Sequence, residues 1–136
     1  MNQKNWLCGL LCVLSVVAVG CGPSGPQLYQ VKGRVTHNGK PVKYIYLTFI
    51  PDDETTKAIS TSSSDENGNF EMKIGSTPGV YPGEVTIAAH DPLIAIGSKT
   101  STEPDYLEVC KKYAPGKSAL KMKIEKNETN LELKLD

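Results

Sequence analysis

The sequence predicts an all-β fold, a seven-stranded antiparallel β-sandwich with one short helix in the connection over residues 90–117. Two observations predict it: apolar and polar side chains alternate from residue 28 onward, and turn-forming dipeptides separate the alternating runs at short intervals. Strands so short and so often interrupted are typical of antiparallel sheets rather than of βαβ units. The length of 136 residues allows one domain of ordinary size and argues against two.

The first two strands are predicted on either side of Asn38-Gly39, a dipeptide typical of tight hairpin turns. Residues 31–36 alternate in polarity, and residues 42–50 are rich in β-branched and aromatic side chains. Pro51 ends the second strand because proline cannot donate a hydrogen bond to the ladder. The predicted inward face of this strand holds Ile45, Leu47 and Phe49, and its outward face holds Tyr44, Tyr46 and Thr48.

Three more strands are predicted in the middle of the chain. Residues 58–63 are rich in serine and threonine, which favours an edge strand. After a turn at residues 65–69, the alternation over residues 70–74 predicts the next strand. A loop at residues 75–83, rich in glycine and proline, then leads to a strand at residues 84–89.

The last two strands are predicted to form a hairpin. Residues 120–124 and 131–135 alternate apolar with charged side chains, and residues 126–130 separate them. Such a hairpin would place opposite charges across from one another on its outer face, where each pair contributes only ~0.2–1 kcal/mol.

One segment has the spacing of a helix instead. Tyr106, Leu107, Cys110 and Tyr113 recur at helical intervals and predict a helix over residues 103–113. Thr102, with Asp105 three residues later, is typical of a capping pair, and Pro104 suits the first turn. Cys110 falls on the apolar stripe of this helix, so we expect a buried, inert thiol.

The N-terminal segment predicts export. Residues 6–19 are an apolar run of 14 residues interrupted only by Gly9 and Ser15, shorter than the ~20 residues that cross a membrane. This run suits a signal peptide over residues 1–20. Residues 17–21 resemble a bacterial lipobox, which implies that Cys21 carries fatty acyl chains such as palmitate; ordinary cleavage after Gly20 is the alternative. Residues 21–28 would then form a lipidated, flexible tether.

The remaining residues, 29–136, carry a resemblance to a known family. The matching stretches are residues 31–35 with 38–42, 47–51, 64–70, 82–87, 112–114 and 118–120, and the Leu-alternating end. Together they resemble the small secreted lipoproteins of planctomycete-type bacteria, whose domain is similar to the carboxypeptidase regulatory-like, or transthyretin-like (prealbumin-like), β-sandwich. The resemblance implies a fold and a location in the cell envelope, and it implies no specific activity.

Composition and motifs argue against two classes of function. The 15 basic and 15 acidic residues balance, so the chain has no basic footprint for nucleic acid. No nucleophile elbow is present, and the chain ends Leu133-Lys134-Leu135-Asp136, whereas the transthyretin-like hydrolases end Tyr-Arg-Gly-Ser. We therefore expect no enzyme activity and no cofactor.

Two groups of polar residues are candidate metal sites. Asp65, Asn67 and Asn69 faintly resemble a calcium loop, although a serine, Ser76, stands where the loop would need its bidentate acid. A turn in which these side chains bond local amides is the favoured interpretation. His37 and His90 are too far apart in sequence, with too few other ligands, to predict zinc.

Tyr44 and Tyr46 are the candidate binding face, because two tyrosines on the outer face of one strand could form an aromatic platform. Packing of this face under the connection over residues 90–117, or of the rings beside the core, is the favoured interpretation. The sequence thus predicts a non-enzymatic lipoprotein anchored to a membrane through Cys21, at the outer membrane. It would present its β-sandwich for structural or adhesive contact with envelope protein or polysaccharide. The alternative is a tethered, periplasmic or secreted carbohydrate-binding module.

Overall fold

The computed structural model of the chain describes residues 20, 22, 25–55 and 58–136. The predicted signal peptide, apart from Gly20, and the predicted lipidation site Cys21 lie outside these residues. The described chain is mostly β-strand, with one α-helix, α1 (Pro104–Lys112), and a 3₁₀ turn (Ile94–Ile96). Its strands are β1 (Val31–His37), β2 (Lys40–Pro41), β3 (Tyr46–Pro51), β4 (Ser60–Ser63), β5 (Asn69–Glu71), β6 (Lys73–Ile74), β7 (Thr77–Pro78), β8 (Gly83–His90), β9 (Lys121–Ile124) and β10 (Glu128–Lys134).

The first sheet is built around β1. Strands β2 and β5 pair antiparallel with β1 on one side, and β10 pairs parallel with it on the other. Gly33 is required at this parallel pairing, because a Cβ at that position would lie 1.9 Å from the carbonyl oxygen of Leu131 on β10. The Asn38-Gly39 turn is confirmed, with φ of 48° and 77° at its two residues.

The second sheet has the strand order β7-β6-β4-β3-β8-β9, with antiparallel pairing throughout. Side chains from both sheets and from α1 meet in one core. Its largest fully buried side chains are Phe49, Ile45, Leu47, Met72, Ile87, Ile124, Leu135, Val31, Val35, Val80, Val85 and Val109. The buried core residues lie between Val31 and Leu135, so residues 25–136 hold the whole described core. Because a unit with its own core can in principle fold alone, we expect fragment 25–136 to fold.

The predicted C-terminal hairpin is wrong. Strand β9 pairs with β8 in the second sheet, whereas β10 crosses to the first sheet and pairs with β1. Asn127 lies in the crossing segment, and its side-chain oxygen accepts a hydrogen bond from the Gln30 amide at 2.9 Å. Alternation alone cannot separate the two arrangements, because both strands bury the same apolar face in either one.

Two predictions about the middle strands are also wrong. Strand β4 lies between β3 and β6 rather than at an edge, and its buried Ser60 donates a hydrogen bond to the Gly79 carbonyl at 3.1 Å. Residues 70–74 do not form one strand: β5 belongs to the first sheet and β6 to the second. The chain changes sheet at the fully buried Met72, so the unbroken alternation hides the crossing.

The predicted count of seven strands, all antiparallel, is therefore incorrect for the described residues, which form ten strands with one parallel pair. The helix is confirmed within one residue at each end, but its predicted cap is wrong. Glu103 is the N-cap and makes no side-chain capping bond. Instead, the Ser101 hydroxyl accepts a hydrogen bond from the Glu103 amide at 3.1 Å.

The strand registers define two ends of the domain. At the tether end, the bridge between Tyr29 and Val80 brings together the starts of β1 and β8, and β9 ends beside Gly83. At the loop end, β1 and β8 end, at His37 and His90, and the connection over residues 91–100 begins. The loop end carries the features described next.

Candidate functional site

A cleft of about 480 Å³ opens at the loop end. One wall is the segment over residues 40–44, which joins β2 to β3, and the other is the segment over residues 100–106, which leads into α1. The lining residues are His37, Lys40, Pro41, Val42, Lys43, Tyr44, Thr100, Ser101, Glu103, Asp105 and Tyr106.

Tyr44 lies on the lip of this cleft in an unusual conformation. Its φ of 55° lies in the left-handed region, which is disfavoured for a bulky residue, and its side chain is 49% exposed. The buried Ser64 explains the bend, because its hydroxyl donates to the Val42 carbonyl at 2.7 Å and accepts from the Ile45 amide at 3.0 Å. Residues 42 and 45 are thus held inward, and the backbone between them turns outward.

The other polar groups of the cleft carry both signs of charge. The Lys40 ammonium lies 3.6 Å from the Asp105 carboxylate, but both side chains are exposed, so this pair contributes little to stability. Lys43 and Glu103 are exposed as well. The Tyr106 hydroxyl lies 3.5 Å from the Tyr44 carbonyl and joins the two walls. The cleft therefore combines an exposed aromatic ring with charged and hydroxyl groups that can exchange hydrogen bonds with a polar ligand.

His37 forms the buried floor of the cleft, and its ring serves the fold. Nδ1 faces the Leu135 carbonyl, which only accepts, so we assign the proton to Nδ1. Nε2 then accepts a hydrogen bond from the Asn38 side-chain amide at 3.0 Å. Both ring nitrogens are occupied, and the ring ties β1 to the C-terminal residues.

Beside the cleft, the connection over residues 91–100 is closed by the buried Asp91. Its carboxylate accepts hydrogen bonds from the Leu93 amide at 2.9 Å and from the amide and hydroxyl of Thr100, each at 2.7 Å. Burial alone would raise the pKa of Asp91, but these hydrogen bonds outweigh it and hold the pKa below its ordinary value. The carboxylate is therefore charged at neutral pH and fixes both ends of the loop.

The loop that Asp91 closes has an apolar tip, which we define as residues 93–96. Leu93, Ile94 and Ile96 are 37%, 66% and 76% exposed, and Ala95 is exposed too. Ile94 and Ile96 are the most exposed large apolar side chains of the described residues. Exposed apolar side chains gathered in one place commonly mark an interaction site.

Tyr106 and Cys110 pack behind this loop, on the inner side of α1. Burial raises the pKa of the Tyr106 hydroxyl. Burial, reinforced by the nearby negative charge of Asp91, also raises the pKa of the Cys110 thiol to about 11. Cys110 is thus a protonated thiol at neutral pH, and it is half-buried rather than fully buried as the sequence predicts.

The candidate calcium loop is a turn built by Asp65. Oδ1 of Asp65 accepts hydrogen bonds from the Asn67 and Asn69 amides, both at 2.8 Å, and Oδ2 lies 3.2 Å from the Asn69 side-chain amide. The Asn69 backbone bond is the main cause that lowers the pKa of Asp65, against a smaller opposing effect of burial. Gly68 has the positive φ, 79°, that the turn requires. No group of three or more metal-ligating side chains occurs among the described residues.

The structure separates the two tyrosines of the predicted binding face. Tyr44 precedes β3 and lines the cleft, whereas Tyr46 lies within β3 with its ring 5.0 Å from that of His90. The left-handed turn at Tyr44 breaks the alternation that would have placed both rings together. The two tyrosines therefore do not line one cleft: Tyr44 lines the cleft at the loop end, and Tyr46 does not.

Sequence reasoning missed three elements of the loop end: Ser64, Asp91 and the apolar tip. Ser64 carries no signal, because its role depends on two distant backbone groups. The other two do carry one, since Asp91-Pro92 followed by four apolar residues and Gly97 places an apolar run inside a loop.

None of the helices that the structure describes has the length and apolar character needed to cross a bilayer. Comparison of the chain with protein-family models, with curated proteins and with solved structures finds no match.

Proposed function

We propose that this chain is a non-enzymatic lipoprotein of the cell envelope, anchored through Cys21, whose domain binds polysaccharide in the cleft at Tyr44. In this proposal the two sheets form a β-sandwich of the transthyretin-like class. Adhesive contact through the cleft unites the two functions that the sequence predicts, an envelope adhesin and a carbohydrate-binding module.

The conformation of Tyr44 carries this proposal. A bulky residue in the left-handed region costs of order 1–3 kcal/mol, and an exposed side chain returns little of it through packing. Such strain is commonly retained where it serves a site. Here it places the ring at the lip of a cleft that also offers carboxylate, ammonium and hydroxyl groups. An aromatic face beside polar groups suits a sugar ring, which presents C–H bonds on one face and hydroxyls at its edge.

The position of the cleft supports presentation from a membrane. The chain enters the domain at the tether end, where Tyr29 bridges to Val80, and the cleft opens at the opposite, loop end. A domain that stands upright on an anchor at residue 21 would hold the cleft away from the bilayer, where envelope polysaccharide is accessible.

The proposal is tested by measuring the binding of fragment 25–136 to a glycan array and then, by calorimetry, to the polysaccharides it retains. Tyr44→Ala and Tyr44→Gly should each weaken binding at least tenfold, which corresponds to about 1.4 kcal/mol. Tyr81→Ala, a tyrosine outside the cleft, is the matched control and should bind like the wild type. Absence of glycan binding, or binding that survives both Tyr44 variants, would refute the carbohydrate site.

Tyr44→Gly also tests the strain directly. Glycine adopts a positive φ without a steric penalty, so this variant should melt at a higher temperature than Tyr44→Ala while binding no better. A Tyr44→Gly variant that binds more weakly than the wild type but melts above Tyr44→Ala is the expected signature of a strained residue retained for function. Equal melting temperatures would show that Tyr44 is not strained.

Anchoring is tested separately by detergent-phase partitioning of the full chain produced in a bacterial host. The wild type should enter the detergent phase, because acyl chains on the N-terminal cysteine supply the buried methylenes that stable anchoring needs. Cys21→Ser should stay unprocessed or appear in the aqueous phase. Identical behaviour of the two proteins, with the same mature mass, would instead indicate ordinary secretion.

A further inference from the structure

The apolar tip at residues 93–96 is not explained by the polysaccharide cleft, which lies beside it. None of its four residues lines the cleft. Its exposed side chains belong to consecutive residues, the 3₁₀ turn Ile94–Ile96 and its N-cap Leu93. Its conformation is defined, because Asp91 binds the loop at Leu93 and again at Thr100.

The backbone of the tip already satisfies many of its own hydrogen bonds. The amides of Ile94 and Ile96 donate to the carbonyls of Asp91 and Leu93, at 3.2 and 3.1 Å. The amides of Gly97 and Ser98 donate to the carbonyls of Ile94 and Leu93, respectively, both at 3.1 Å. A segment can enter an apolar medium at low cost only when its polar backbone groups are paired internally. The tip therefore loses few hydrogen bonds to water when it is buried.

The size of the tip decides between a protein and a lipid surface. A stable protein–protein interface takes roughly 20–30 residues from each side, far more than four apolar residues provide. Insertion into a lipid surface has no such minimum, because each apolar side chain contributes through the area that it removes from water. Lys99, the exposed charged residue of the loop, follows the tip and is suited to contact anionic headgroups.

We infer that the apolar tip is a membrane-insertion element, which places Leu93, Ile94 and Ile96 among the acyl chains at the surface of a bilayer that contains anionic lipid. Lys99 then lies at the level of the headgroups. This contact is made by the folded domain itself, so it depends neither on lipid at Cys21 nor on a ligand in the cleft.

The length of the tether limits how the two membrane contacts combine. Residues 21–28, fully extended, span at most about 29 Å. The 8 residues of β8 alone extend about 26 Å along the domain. The fully extended tether is therefore only slightly longer than β8, so an anchored chain brings the tip onto the same bilayer most easily by lying on its side. An upright domain would direct the tip toward a different lipid surface.

Fragment 25–136 offers a clean optical test, because the single tryptophan of the chain is Trp6. Ile96→Trp places the only fluorophore of its kind at the tip, and Ile59→Trp places it at a control position. Ile59 is 46% exposed and adjoins β4 near the tether end, opposite the tip. Both variants are titrated with vesicles of phosphatidylethanolamine and phosphatidylglycerol, with and without lipids brominated along their acyl chains.

The emission of the Ile96→Trp variant should shift to the blue on addition of vesicles, and brominated acyl chains should quench it, while the Ile59→Trp variant should show neither effect. Ile94→Asp with Ile96→Asp should reduce co-sedimentation of the fragment with vesicles at least tenfold. Because both side chains are exposed, this double variant should melt like the wild type. Ile59→Asp should sediment with vesicles as the unmodified fragment does.

Failure of the fragment to bind vesicles, or equal quenching at both tryptophan positions, would overturn the inference. Sedimentation velocity tests the alternative that the tip binds a second copy of the chain. Dimerisation that the double aspartate variant abolishes would support that alternative and refute the lipid contact. Neither result would bear on glycan binding, which is measured with Tyr44 variants and without lipid.

Discussion

The loops closed by Asp65 and by Asp91 each depend on an aspartate that accepts backbone hydrogen bonds, and the two loops differ in exposure and in the side chains they carry. Asp65 is exposed and closes a turn of polar residues, accepting the amides of Asn67 and Asn69. Asp91 is 5% exposed and closes the connection that carries the apolar tip, accepting the amides of Leu93 and Thr100. The local chemistry is the same in both.

The difference in exposure reflects the kind of side chains that each loop presents to water. A polar turn between strands is stable in water, so the exposed carboxylate of Asp65 only refines its shape. An apolar tip in water has no such preference and would tend to collapse onto the domain. The buried carboxylate of Asp91 opposes that collapse, because its hydrogen bonds to Leu93 and Thr100 hold the two ends of the loop together. Comparing the loss of stability at Asp91 with that at Asp65 therefore shows how much the buried carboxylate contributes to holding the loop in place.

Asp91→Ala should give the largest effect. It leaves the Leu93 and Thr100 amides without their partner, and one hydrogen bond to a charged group contributes about 1.5–3 kcal/mol, so unfolding should become easier by at least that amount. Denaturant melting of fragment 25–136 measures the change. Asp65→Ala is the matched control and should cost clearly less, since water replaces the lost acceptor. Equal losses at the two positions would show that burial of Asp91 adds nothing.

Lowering the pH should remove the stability that the charged Asp91 carboxylate contributes. The pKa of Asp91 in the folded state lies below the ordinary value of 3.8, so its charged form stabilises the fold above that value, and this stability is lost as the pH falls through the folded-state pKa. The free energy of unfolding of the wild type should exceed that of Asp91→Asn by a constant amount at neutral pH. The gap should narrow below about pH 4. A gap independent of pH would mean that the charge of Asp91 does not contribute.

Calcium should have the smallest effect of all: we expect it to leave the melting temperature unchanged, because it should not bind the Asp65 turn. The carboxylate oxygens of Asp65 are already occupied by amides, and a ligand raises the melting temperature only when it prefers the folded state. Thermal melting with and without calcium should therefore coincide, for the wild type and for Asp65→Ala alike. A saturable rise that Asp65→Ala abolishes would restore the calcium interpretation.

Local chemistry made much of the fold predictable. The Asn38-Gly39 turn, the Asp65 turn, the run that became β8 and the helix α1 each depend on neighbours within a few residues, and the structure confirms each of them. The pairing of β10 with β1 depends on contacts between opposite ends of the domain. No local pattern distinguishes that pairing from a hairpin, because alternation specifies a face and not a partner.

In the candidate site, too, features set by neighbouring residues were predictable and features set by distant residues were not. Tyr44 was identified from its aromatic character, but its separation from Tyr46 depends on Ser64, which lies 22 residues from Val42 and 19 from Ile45 in sequence. The anchor predicted at Cys21 lies outside the described residues and remains a prediction. The sequence shows the apolar tip as an apolar run within a loop. The exposure of its side chains, which marks it as an interaction site, is known only from the structure.

The pairing of the first strand with the last also affects how the chain folds over time. His37 and Leu135 meet across 98 residues, and the same separation divides Asn38 from Asp136, whose carboxylate accepts the Asn38 amide at 2.7 Å. The first sheet therefore cannot close until residues 128–136 have been synthesised, and such non-local pairing is intrinsically slow. If the chain is exported as its N-terminal segment predicts, this delay keeps it extended during passage through a translocation pore, and the fold is completed on the far side.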